Sequence, residues 1–277
     1  MNSKQEIEDI KFIYKYAGYN RVNSIIKYIK EKDVDFAKSV GLYQGMEKNE
    51  IFPISKYCLF PLLLKECVNH FDIARLSEMC LLAHYAGLWT MIQDELFDSS
   101  IDRHNYRVVM LAPLIFRCRD IIDDISSPAD RVTHIRKFER EMLRVIQGFR
   151  TEMELNQRTN ASEIELLKYC QDKYALVFFL MEFLMDLYDS KCSYKGEILE
   201  AFKGYSILRQ CVDELQDIDE DKNEENMNIC RFLGNNRVTE LALENYENSL
   251  NIAREYGEFG LENLINLTKN TEVLTNA

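Results

Sequence analysis

Apolar residues recur at helical spacing along most of the chain. Ile7, Ile10, Phe12, Ile13 and Tyr16, then Val22, Ile25, Ile26 and Ile29, predict helix from Lys4 to Lys32 with a break near Gly18. Asp33 to Pro53 is mixed in character and predicts a loop-rich segment. Lys56 to Phe71 predicts a short, strongly apolar helix with Pro61 near its start. A long apolar run, Met79 to Gln93, predicts a buried helix with Asp72 as its N-cap and Asp94-Glu95-Leu96-Phe97-Asp98 at its far end.

The pattern continues in the second half. Ser99 to Asn105 is polar and leaves the helix; Tyr106 to Ile125 is helical and stops at Ser126-Ser127-Pro128. Pro128 is placed to open the next helix, Ala129 to about Leu155. Ser162 with Glu165 forms a capping box after the polar loop Asn156 to Asn160. The helix it starts runs to about Tyr188; it is the most apolar of the chain and is expected at the centre. Tyr194-Lys195-Gly196 is a short connection, and Glu197 to about Asp221 is helical. After the polar loop Lys222 to Asn228 and a turn at Gly234-Asn235-Asn236, Arg237 to Tyr256 is helical, and Gly257 and Gly260 set off a last short helix.

Composition narrows the class. Four prolines and ten glycines in 277 residues are too few for a turn-rich β protein. No repeat or linker divides the chain, so residues 1–277 are expected to form a single all-α domain of roughly ten helices. A net charge of −12 argues against nucleic acid as a partner but leaves an anionic ligand open, because metal ions and a few placed cations can reverse the local field. The eight cysteines show no CxxC spacing and predict reduced core thiols. Met1 to Asp9 is polar and acidic, not a signal peptide, and Tyr174 to Met185 is too short to span a bilayer; a cytoplasmic location is expected.

Chemistry concentrates in two acidic groups. Asp94 and Asp98 stand at i and i+4 with Glu95 beside them. Asp213-Glu214-Leu215-Gln216-Asp217 repeats the pattern about 120 residues later, and Asp213, Asp217 and Asp221 fall on one helical stripe. Carboxylates after apolar helix need a partner to stay ionised, and a divalent cation is the natural one. A pattern of this kind arises roughly once by chance in a chain this acidic, as at Glu220 to Glu224, so either motif alone is explained as well by a solvated helix end. Cations stand nearby: Arg103 and Arg107 after the first group, and Arg209 one turn before Asp213, where it also makes a plain i,i+4 pair.

With both motifs placed, the chain resembles the trans-isoprenyl diphosphate synthases and, more broadly, the class I terpene synthases. Asp94 to His104 follows the layout of that family's DDxxD with its trailing arginine pair. Gln147-Gly148-Phe149-Arg150-Thr151-Glu152-Met153 is similar to its GQxxDL segment, and Lys173-Tyr174-Ala175-Leu176-Val177-Phe178 to its Lys-Thr-Ala-x-Leu-Phe segment. Asp213 to Asp217 matches the second DDxxD; Asp213, Asp217 and Asp221 also fit the terpene-synthase pattern. The departures are specific. With Pro61 on the family's Gly-Gly-Lys-x-x-Arg-Pro, Tyr57 and Phe60 stand where Lys and Arg bind isopentenyl diphosphate, and Lys56 is one position off. Gly87 replaces a histidine, with His84 three residues away, and His104 replaces the second arginine.

The resemblance implies an isoprenoid-synthase-like helical bundle around a central cavity, a prenyl diphosphate substrate and a homodimer. It also implies Mg²⁺ held by Asp94, Glu95, Asp98, Asp213, Asp217 and Asp221. Arg103, Lys173 and Arg209 would stabilise the departing diphosphate, so Asp94, Asp98, Lys173 and Arg209 are the expected catalytic set. Lys168 is an alternative to Lys173 as diphosphate sensor. Trp89, Tyr85, Phe178 and Phe179 are expected to line the prenyl pocket, with Trp89, five residues before Asp94, limiting its depth to short substrates. The missing cations favour a class I terpene synthase acting on one allylic diphosphate of C10–C20. A chain-elongating trans-isoprenyl diphosphate synthase is the alternative, and a non-catalytic regulatory or binding subunit on the same fold a second. A ferritin-like di-iron bundle is disfavoured, since no Glu-x-x-His pair is present.

Overall fold

The computed structural model describes residues 4–41, 56–64, 69–97, 106–188, 193–218, 227–269 and 274. The described residues are helical, with no strand among them. The long helices are α1 (Lys4–Ala17), α2 (Tyr19–Ser39), α3 (Ile73–Phe97), α4 (Leu111–Ile125), α5 (Arg131–Asn156), α6 (Glu163–Lys173), α7 (Ala175–Tyr188), α8 (Lys195–Gln216), α9 (Asn235–Glu255) and α10 (Phe259–Lys269). A 3₁₀ helix, Lys56–Leu63, precedes α3, and one-turn helices lie at Tyr106–Val109 and Cys230–Leu233. The chain forms two compact units, one of Ile10–Arg136 and one of Met1–Asp9 with Lys137–Ala277.

In the unit Ile10–Arg136, α3 is the core element. It is buried from Met79 to Trp89 without interruption, so it packs against α2, the 3₁₀ helix and α4 rather than showing one wet face. Asp72 starts it as expected, its Oδ1 accepting from Arg75 N–H at 2.8 Å. The helix α2 outruns the prediction: Asp33 to Ser39 is helical, not loop. Phe36 and Ala37 are buried there, and the buried Asp33 meets the equally buried His84 at 3.2 Å, so a polar pair and two apolar side chains extend the helix beyond the reach of its periodic pattern. The segment before α3 is 3₁₀ rather than α, with Pro61 inside it; proline lacks the N–H that an α-helix interior needs.

In the other unit, α7 is buried from Ala175 to Met181 and again from Phe183 to Met185, as its composition predicts. The single helix expected from Ser162 to Tyr188 is two. The capping box at Ser162 and Glu165 is present, but α6 stops at Lys173 and Tyr174 turns the chain into α7. The backbone of Asp172 and Lys173 lies against Gly148 of α5, where an added Cβ would meet Lys173 N at 3.0 Å. Buried Asp172 accepts from Arg144 of α5 at 3.0 Å and pairs with Lys168. The helix α8 begins at Lys195, inside the expected connection, and ends at Gln216, earlier than Asp221. The helix α5 ends on a side chain from far along the chain: Arg231 Nη2 donates to the carbonyls of Leu155, Asn156 and Arg158 at 3.0, 3.2 and 2.8 Å, satisfying acceptors that a helix end leaves open.

Packing of α8 on α9 rests on a second close approach. A Cβ at Gly204 would lie 2.2 Å from Ser249 Oγ, which is buried without a hydrogen-bond partner among the described residues. Gly204→Ala is expected to destabilise the protein by about 1–3 kcal/mol, as overpacking does. Adding Ser249→Ala should recover most of that loss, because the clash and an unsatisfied hydroxyl go together. Thermal melts of the two variants check it; a double variant no more stable than the single one contradicts this account.

Candidate functional site

Both acidic groups sit at helix C-termini. Asp94 and Glu95 are half-buried in the last turn of α3, and Asp213 and Glu214 occupy the last turn of α8, with Asp217 as its C-cap. Neither last turn carries a basic residue. Backbone carbonyls point outward at these ends, so each carboxylate adds charge to the negative pole of a helix. Asp98, Arg103 and Asp221 lie outside the described residues. The helix α8 closes at Asp217, whose N–H donates to Asp213 O at 3.0 Å, and the last member of the expected stripe, Asp221, falls beyond the described residues.

Within the second group the acids have different jobs. Arg209, nearly buried, pairs through Nη2 with Asp213 Oδ1 at 2.8 Å, the i,i+4 contact that its spacing allows. Glu214 points inward. Its Oε1 accepts from Gln210 Nε2 at 2.6 Å and its Oε2 from the N–H of Ile229 at 2.7 Å. Asn228 Nδ2 donates to the backbone carbonyl of Glu214 at 2.8 Å, and Asn228 Oδ1 accepts from the N–H of Cys230. The chain returning at residues 228–230 is thereby sewn to the last turn of α8. Burial raises the Glu214 carboxyl to about 7, against the lowering effect of these hydrogen bonds and of Lys173.

Lys173 ends α6 in a cradle built by one face of α5. Its Nζ lies 3.1 Å from both Oε1 and Oε2 of Glu152, and 5.3 and 5.6 Å from the ring centroids of Phe149 and Tyr169. Tyr169 OH donates to Glu152 Oε1 at 2.7 Å, and burial raises the Tyr169 phenol well above its ordinary value, keeping it a donor. The segments similar to GQxxDL and Lys-Thr-Ala-x-Leu-Phe therefore meet through Gly148, Phe149 and Glu152 on one side and Lys173 on the other. Sequence reasoning gave Glu152 and Tyr169 no role. The signal was spacing: Gly148 and Glu152, like Tyr169 and Lys173, are one turn apart. Lys168 is instead engaged with Asp172.

The aromatic candidates are all buried. Tyr85 packs its ring on Phe36 at 5.2 Å; Trp89 is buried with its indole N–H unpartnered among the described residues. Phe178 is buried in α7, and Phe179 stacks on Phe183 at 5.4 Å. Tyr57 and Phe60, which stand where the family's isopentenyl-binding cations belong, pack edge to face at 5.3 Å, and His84 is committed to Asp33. The described cysteines are buried thiols, with no disulfide among the described residues; Cys67 and Cys192 lie outside the described residues. No described group of three or more His, Cys, Asp or Glu is arranged to hold a metal ion. Mg²⁺ commonly takes one or two carboxylates with phosphate and water, and the carboxylates at each helix end taken by itself, Asp94 and Glu95 on α3 and Asp213 and Asp217 on α8, are oxygen donors of the kind it takes.

No protein-family model and no curated protein matches the chain. Solved structures do. A geranylgeranyl pyrophosphate synthetase from the archaeon Geoglobus acetivorans superposes with a TM-score of 0.66 at 15% identity, over 89% of this chain and 98% of its own. The octaprenyl pyrophosphate synthase of Helicobacter pylori gives 0.65 at 12%, over 94% and 98%. A geranyltranstransferase from Thermotoga maritima gives 0.65 at 14%, over 92% and 99%. The chain has the isoprenoid synthase fold. Within the described residues of that fold, no helix is long and apolar enough to cross a membrane.

Glu214 gives the isoprenoid synthase fold a pH signature here. Its folded pKa, about 7, lies above the ordinary carboxyl value near 4.3, so the folded state holds the proton longer. Stability contributed by this group is complete below the ordinary value and falls as pH rises toward about 7, by up to roughly 3 kcal/mol. In EDTA, Glu214→Gln is expected to flatten the stability–pH curve across that window, since Gln210 can turn its amide to match. Urea melts at pH 5 and pH 7.5 check it; an unchanged slope contradicts it.

Proposed function

We propose that the protein is an Mg²⁺-dependent enzyme that ionises an allylic prenyl diphosphate, of the prenyltransferase kind. The observation that supports it most is the likeness, over about nine-tenths of the chain, to three solved synthases named for prenyl chain synthesis or transfer. In this reading Lys173 and Arg209 bind the diphosphate and offset its growing charge as the allylic C–O bond breaks. Asp94 with Asp98, and Asp213 with Asp217 and Asp221, would hold the Mg²⁺, and Arg103 would join the cations. Bound Mg²⁺ supplies Lewis-acid stabilisation of the leaving diphosphate. Tyr85, Trp89 and Phe178 are apolar or aromatic surface for the prenyl chain and the allyl cation.

A second reading has its own support. The Tyr57–Phe60 contact leaves two of the usual homoallylic cation positions apolar, Gly87 stands at the third, and His84, three residues away, is engaged with Asp33. That favours a class I terpene synthase using one substrate.

Purified protein incubated with Mg²⁺ and geranyl, farnesyl or geranylgeranyl diphosphate, with and without isopentenyl diphosphate, separates the readings. A longer prenyl alcohol, seen after dephosphorylation and only with isopentenyl diphosphate, is the expected result. A hydrocarbon or alcohol formed without it, and lost in EDTA, establishes the terpene synthase. No turnover and no Mg²⁺-dependent diphosphate binding removes both and leaves a non-catalytic subunit. Lys173→Met and Asp213→Asn are each expected to lower kcat/KM by about 100-fold or more.

A further inference from the structure

We infer that Glu152 is a counter-charge that competes with the diphosphate for Lys173 and thereby weakens the site's hold on the anion it must release. This rests on the reading that Lys173 binds diphosphate. The cradle leaves the ammonium little freedom. The peptide of Lys173 is pressed on Gly148, its Nζ lies between two aromatic rings, and both oxygens of Glu152 are 3.1 Å away. Both side chains keep about a fifth of their surface exposed.

A diphosphate that takes up Lys173 must therefore settle within a few ångströms of a carboxylate. That repulsion subtracts from its affinity, and it acts on product diphosphate as it does on substrate. Tyr169 moderates the effect. Its hydroxyl donates to Glu152 Oε1, one of the two oxygens that face Lys173, and so draws off part of the carboxylate's charge. An ion pair with only a structural role would act in the opposite sense, because loosening Lys173 weakens anion binding.

The test is calorimetric titration of inorganic pyrophosphate, with Mg²⁺, into the full-length protein. Glu152→Gln keeps an acceptor for Tyr169 and Lys173 but removes the charge; it should bind pyrophosphate about tenfold more tightly. Tyr169→Phe leaves Oε1 to Lys173 alone and should bind it a few-fold more weakly. Pyrophosphate binding by the wild type with Glu152→Gln unchanged or weaker overturns the inference and leaves the proposed function standing. If Glu152→Gln fails to fold, Tyr169→Phe decides, and unchanged or tighter binding overturns it. A wild type that does not bind pyrophosphate at all overturns the proposed function, and this inference with it.

Discussion

Carboxylates in the last turn of a helix oppose the dipole of that helix, and this protein does it twice, at the ends of α3 and α8. The placement costs stability unless positive charge answers it. At α8 the answers within reach differ by residue: Asp213 has the Arg209 guanidinium one turn back, while Glu214 is driven inward and tends toward its neutral form. Once Glu214 is fixed by Ile229 and Asn228, Asp213 and Asp217 are left on a defined helix end rather than on a fraying one. A buried acid that does no chemistry thus sets where the exposed ones stand.

A parallel division holds on α5. Arg144 ties that helix to α6 through buried Asp172, and Gly148 allows the backbones to touch, so the ammonium of Lys173 is delivered by packing rather than by its own flexible stem. The ion pair alone would be a weak device, since paired charges lose most of their Coulomb gain to desolvation. Its value is geometric.

Much of the fold was legible because long helices advertise themselves by period and composition. The apolar run of α3, the Asp72 cap, the Ser162 capping box and the burial of α7 all rest on local rules. What escaped those rules was tertiary. Asp33 to Ser39 is polar enough to look like loop, yet Asp33 meets through Oδ2 the buried His84, distant in sequence. The break at Tyr174 comes where the backbone of Asp172 and Lys173 lies close against a neighbour's glycine, a contact that the segment's own sequence does not show. The two acidic groups and Lys173 were legible as candidates from spacing and resemblance. Glu152 and Tyr169 were not, because their role arises from a contact between helices, and Glu214 was indistinguishable from Asp213 until burial separated them.

The end of α5 has a consequence for how the chain is made. Its last carbonyls are closed by Arg231, which comes 76 residues after Leu155. During synthesis that helix end emerges long before its cap does. Until residue 231 has left the ribosome, the carbonyls of Asn156 and Arg158 lack this donor, while Leu155 O keeps the local N–H of Arg158. Nascent chains truncated before residue 231 therefore lack the side chain that ties the end of α5 to the later part of the chain.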